Sequence, residues 1–176
     1  MPIQVSLADL LEYTDWERQK WFDWLRKHGD AVLQTSAGPY GDGRFASVGE
    51  LIRHIFSAEK RYVERLSERP LTDTLSISNQ SIDALFEFGH QSRKELKAFL
   101  ESFPADEWDR MHEYTLMNSV LKATPRKIIV HVVTHEIRHW AQIGTLLRLN
   151  GLTGELHDFL FSPVMGGEFK HEEAKG

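Results

Sequence analysis

The chain has 176 residues, 41% of them hydrophobic and 27% charged, which suits one domain with its own core and not a disordered segment. It has no cysteine, so disulfides, zinc ribbons, iron–sulfur clusters and an internal thiol nucleophile are excluded, and a tight metal site must use His, Asp or Glu. The net charge of −5 argues against nucleic-acid binding, no apolar run reaches the ~20 residues of a membrane span, and the N-terminus shows no leader pattern, so a cytoplasmic protein is expected.

Four helical segments follow in chain order, with no domain boundary and no repeat. In the first, roughly Leu7 to His28, Leu7, Leu10, Leu11, Trp21, Phe22 and Leu25 recur at three- and four-residue steps, and Trp16 and Trp24 widen the face. The pattern stops at His28-Gly29-Asp30 or runs on to Leu33, and Ser36 to Gly43 is a loop. The second helix opens on Ser47-Val48-Gly49-Glu50, which reads as a capping box. It carries Leu51, His54, Ile55, Ala58, Tyr62 and Leu66 on one face and stops before Pro70.

The third helix starts near Ser81, places Ile82, Leu85, Phe86, Leu96, Phe99 and Leu100 on its stripe, and ends at Pro104. Gly89 sits mid-stripe, where a missing side chain lets a helix or ligand come close. Glu113 to Leu121 reads as a short hairpin turning at Met117-Asn118-Ser119. The fourth helix runs from Thr124 as cap and Pro125 as first residue to Asn150-Gly151, about 38 Å at 1.5 Å per residue. In the tail, Phe159-Leu160-Phe161 is expected to dock, with loose order from about 163 onward. The fold class is therefore all-α: a four-helix bundle in which the longer connections allow crossovers.

The fourth helix carries His131, His135 and His139 at steps of four, hence on one face about 6 Å apart. The stripe Ile128, His131, Val132, His135, His139, Gln142, Leu146 places them toward the core. Burying imidazole nitrogens without partners costs about 1–3 kcal/mol each. A shared metal removes that cost: His135 and His139 converge on one ion, and His54, on the inner face of the second helix, supplies a third donor. Three protein ligands leave a position open, as in catalytic sites. His28, His90, His112, His157 and His171 show no such spacing.

His135 to His139 also reads HExxH, the zincin signature, in which Glu136 would be general base. The longer metzincin pattern fails at Gln142 and Thr145, Glu155 is the nearest candidate for a further ligand, and no sheet is expected to hold a peptide. A zinc peptidase is the minor alternative. Glu136 is either a proton shuttle or the partner of an interhelical group. Gln142, one turn past His139, is the better candidate to hold a ligand from behind.

Most of the chain resembles the DinB-like, or YfiT-like, metal-dependent hydrolase superfamily. The residues that carry the resemblance are Tyr13, Trp16, Trp21 and Trp24 in the first helix, Val48 to Ile55, and Thr124-Pro125 followed by His131 to Glu136 and His139-Trp140-Ala141-Gln142-Ile143. The resemblance implies a four-helix bundle with crossovers, frequently a homodimer, and a three-histidine site for zinc or nickel, with His54, His135 and His139 as ligands and His131 outside the set. Some relatives are S-transferases or isomerases that use a low-molecular-weight thiol such as bacillithiol or mycothiol. Where relatives commonly have Arg-Gly, this chain has Trp140-Ala141, which is expected to put a large apolar surface near the pocket.

The leading expectation is a metal-dependent enzyme, a thiol-dependent S-transferase or hydrolase acting on a small molecule, with no nucleic-acid or membrane partner. Lacking Cys, the chain would need a cosubstrate to bring any sulfur nucleophile. The alternative is a non-catalytic metal- or ligand-binding dimeric bundle.

Overall fold

Each of the four helices starts where a Ser or Thr caps its first turn. The structure, a computed structural model, describes residues 4–116, 119–154, 157–167 and 169. It comprises α1 (Leu7–His28), α2 (Val48–Leu66), α3 (Ile82–Ser102), an antiparallel hairpin of β1 (His112–Leu116) and β2 (Ser119–Ala123), and α4 (Pro125–Leu149). The hydroxyls of Ser6, Ser47, Ser81 and Thr124 accept the amides of Asp9, Glu50, Ala84 and Lys127 at 3.1–3.3 Å. Each such cap is worth about 1 kcal/mol.

The box expected at Ser47 is only half made, because the Glu50 carboxylate accepts from the Ala46 amide at 2.7 Å instead of from the cap. A full box forms at Ser6 and Asp9. α1 ends at His28, where Gly29 takes a φ of 77° that a side chain resists. Val32 and Leu33 still reach the core, on a 3-10 turn over Asp30–Gln34.

α2 lies against α3 and α4, and α1 against the same two helices. Consecutive α1 and α2 therefore face each other across the bundle, and so do α3 and α4. The α1–α2 and α3–α4 connections are the crossovers. The turn of the hairpin, Met117-Asn118, falls outside the described residues, as do Glu155 and His171. In the tail only part of the expected docking occurs. Phe159 meets the Tyr13 ring at 5.0 Å, Leu160 is 79% exposed, and the buried anchor is Val164. The register of the short 3-10 turn at Phe159–Phe161 leaves Leu160 pointing away.

The core has two apolar clusters. One gathers Trp21, Phe56, Phe86 and Trp140 with their neighbours; the other gathers Leu11, Val63, Leu96, Phe99, Ile129 and Val133. Between members of the two, each helix contributes a buried charged residue to one group: Arg18, Glu59, Arg93 and Glu136. These four join all four helices. Arg18 donates to Glu136 at 2.5 and 2.8 Å and to Glu59 at 3.0 and 3.2 Å; Arg93 donates to Glu59 at 2.9 Å and to Glu136 at 2.7 Å. Both signs are matched, so none of these four is buried alone.

α4 corrects one expectation. Its most buried line is Ile129, Val133, Glu136, Trp140, Ile143 and Leu147, and the histidine stripe runs along the edge of it. His139 is fully buried, His135 and Gln142 are half-buried, and His131 is exposed. The helix has two apolar lines side by side, and the wider one takes the centre.

Candidate metal centre

α2 and α4 pack together, and this brings the inner face of the second turn of α2 against the middle of α4. His54 Nε2 and His139 Nε2 each lie 3.1 Å from His135 Nε2, and the three atoms lie within 4.8 Å of one another. A nitrogen that meets two others cannot satisfy both through a single proton. Ligands at ~2.0–2.1 Å from one tetrahedral ion are separated by about 3.3 Å, close to what the histidines show. The donor set is all imidazole, the type that suits zinc and nickel.

The protonation states agree. Burial, reinforced by the neighbouring His139, pushes His54 down to about 4 and His135 down to about 3. Burial holds His139 below its ordinary value too. All three are therefore neutral at neutral pH, the form that donates a lone pair to a metal. His139 Nδ1 lies 2.7 Å from Gln142 Oε1, an acceptor, so Nδ1 carries the proton and Nε2 presents its lone pair to the cluster. The Gln142 amide is itself held by donating to the Tyr40 carbonyl. The loop before α2 adds Phe45, whose ring lies 4.6 Å from that of His54 and covers the cluster.

His54, His135, His139 and Gln142 are thus brought together as expected. Glu136 is not with them. Its carboxylate is buried on the core-facing line of α4, about 100° round from His135, taken up by Arg18, Arg93 and the Trp140 indole N–H at 3.1 Å. Of its two expected roles, the interhelical partner is the one the geometry supports, and the zincin reading loses its base. His131 stands beside His135, with its ring against Tyr62 at 5.5 Å, outside the converging nitrogens. Trp140 corrects another expectation: it is fully buried, stacks on Trp21 at 5.5 Å, and places its surface in the core, away from the pocket.

A cavity of about 370 Å³ opens beside His54, His131 and His135. Its wall includes Arg44, Arg61, Arg65 and Arg138, residues the histidine spacing did not point to; the signal available was Arg61 and Arg65, four apart on α2, seven and eleven residues past His54. A larger cavity, about 640 Å³, lies over Arg18, Phe56 and Arg93 and is lined by none of the three histidines. Among the described residues, the three histidines are the one cluster able to hold a metal.

The model of the DinB family matches residues 1–171 of the chain. Among curated proteins, none matches it.

Proposed function

Because the chain belongs to the DinB family, we propose that it is a metal-dependent enzyme in which His54, His135 and His139 hold one divalent ion, zinc or nickel, beside a small-molecule pocket. The observation that carries this reading is the convergence of three neutral Nε2 atoms from two helices, 3.1 Å apart at each of two contacts. When bound, such an ion supplies a Lewis acid that brings the pKa of a thiol or water toward neutrality.

The chain's own residues do the rest. Gln142 orients His139 from behind. Phe45 and the packing of α2 on α4 limit water on one side of the cluster, and the 370 Å³ cavity admits a ligand on the other. Three protein donors beside a reachable cavity favour a reacting site over a closed structural one. Since the chain has no cysteine, thiol chemistry would use a low-molecular-weight thiol as cosubstrate, with S-transfer the leading reaction class and hydrolysis the other. A homodimer and a cytoplasmic location belong to the same reading. No helix among the described residues is long and apolar enough to cross a membrane.

Elemental analysis of protein purified without an affinity tag tests the reading. About one zinc or nickel per chain is expected, with loss in His54→Ala and His135→Ala. Equal metal content in wild type and both variants ends it.

A further inference from the structure

The cavity beside the histidines has a charge that nothing in its wall balances. Its lining contains four arginines, Arg44, Arg61, Arg65 and Arg138, and not one Asp or Glu. The chain as a whole is acidic, with 26 Asp and Glu against 21 Lys and Arg, so the concentration is local. Among the described residues, Arg44 is the one of the four in an ion pair, with Asp42 at 3.5 Å across an exposed turn, while Glu64 acts on Arg65 from another face of α2 without lining the cavity.

The other three line the same cavity. Arg61 is half-buried, and its Nε is shut off from solvent with no hydrogen-bond partner. Arg65 stands one turn further along α2, donates to the Arg61 carbonyl at 3.5 Å, and lies 5.7 Å over the Tyr62 ring. Burial and the charge of Arg61 both hold the Arg65 guanidinium below its ordinary pKa. Arg138 Nη2 reaches within 3.2 Å of His139 Nε2, so its charge stands at the cluster itself. Like charges gathered around a buried donor without a partner are costly unless a counter-charge arrives.

The proposed metal deepens the imbalance. Its three ligands are neutral imidazoles, which leave the ion's two positive charges uncompensated. Planar guanidinium forks match carboxylate and phosphate oxygens in geometry as well as in charge. From this arrangement we infer that the substrate is a small oxyanion, a molecule whose carboxylate or phosphate is read by Arg61, Arg65 and Arg138 while its reacting end lies at the histidines. The inference rests on the metal reading for the reacting end, and on the arginines alone for the anionic end.

The test is calorimetric titration of the zinc-loaded chain with inorganic phosphate, with succinate, and with neutral succinamide, alongside Arg61→Gln/Arg65→Gln and Arg138→Gln. Binding of phosphate or succinate is expected, with the tighter of the two naming the anion, and succinamide should not bind. Each variant should keep its zinc, which shows that it is folded, and should bind the anion at least tenfold more weakly. The Arg61→Lys/Arg65→Lys pair should recover part of the loss. The proposal is overturned if neither anion binds, if succinamide binds as well as succinate, or if the arginine variants bind the anion as wild type does, in which case the zinc alone holds it. If the wild-type chain takes up no zinc, the metal reading fails by itself. The same titrations on the metal-free chain then decide the anion site: arginine-dependent binding supports it, and none overturns it.

Discussion

His135 and Glu136 are adjacent in the chain and serve different faces of α4. The His135 ring meets His54 and His139 at the surface shared with α2, while the Glu136 carboxylate turns inward to Arg18 and Arg93. A step of one residue rotates the helix by about 100°, which is enough to separate a site residue from a scaffold residue. The motif HExxH is present in letters, and its glutamate is absent from the chemistry.

Glu136→Gln should therefore damage the fold more than the metal site. It leaves Arg18 with Glu59 as its one carboxylate, shared with Arg93, which keeps Asp15 at 2.8 Å as well, and breaking one member of a buried ionic network costs about 3–5 kcal/mol. In a chain of this size each kcal/mol moves the melting midpoint by roughly 2–4 °C. A melting curve should fall accordingly, while zinc content per folded chain stays at the wild-type value. Loss of metal with unchanged melting would reverse the assignment and return Glu136 to the site.

Gln142 should matter through His139. Removing the acceptor at 2.7 Å releases Nδ1, so the ring loses both its tautomer and its orientation. Partners of this kind change metal affinity about 10- to 100-fold. Competition with a chelating dye should show that loss in Gln142→Ala, with little change in melting of the metal-free chain. Gln142→Glu keeps the acceptor for Nδ1 but loses the donor to the Tyr40 carbonyl, so it should recover part of the alanine variant's loss. An alanine variant that binds zinc as tightly as wild type would mean the contact orients nothing.

Glu17 should make stability depend on pH. It is 4% exposed, and its Oε2 has no hydrogen-bond partner. Burial, followed by repulsion from Glu136, pushes its carboxyl up to about 8, against the opposing influence of the Trp21 indole N–H. The folded chain thus holds a proton that the unfolded chain has released. Its contribution is complete below about 4.5, is lost as pH rises toward 8, and is constant beyond that. The steepest slope is about 1.4 kcal/mol per pH unit. Denaturant titrations across that range should show Glu17→Gln gaining on wild type as pH rises. A gap that does not change with pH would place the Glu17 carboxyl back in the ordinary range.

The helix boundaries and the three ligands were legible because each rests on a local rule: Ser47, Ser81 and Thr124 at caps, Pro104 at an end, His135 and His139 one turn apart. The ionic centre leaves a fainter trace in the sequence. Arg18, Glu59, Arg93 and Glu136 each interrupt an otherwise apolar phase of their helix, as Glu136 does between Val133 and Trp140. Four such interruptions of balanced sign are a signal, but their pairing depends on which helices face each other, and the sequence does not state that. The arginine wall is harder still, because Arg44 and Arg138 come from different elements and share only a cavity.

Gly89 should resist even a methyl group. A Cβ built there would lie 2.8 Å from the Phe56 ring, a distance that real contacts do not reach. Phe56 cannot yield easily: it is fully buried, its ring packs against Phe86 at 5.3 Å and Trp140 at 6.1 Å, and the Arg18 guanidinium lies 4.9 Å over it. Alanine gains about 1 kcal/mol in helix propensity over glycine. Overpacking of a filled core costs about 1–3 kcal/mol. The Gly89 carbonyl also accepts from Arg18 at 3.1 Å, so any shift of α3 loosens the ionic centre and adds to the loss. Gly89→Ala should therefore be net destabilising in wild type. In a Phe56→Leu background the ring is gone and the same change should become neutral or favourable. Equal cost in both backgrounds, read from denaturant midpoints, would show that close approach to Phe56 is not what requires the glycine.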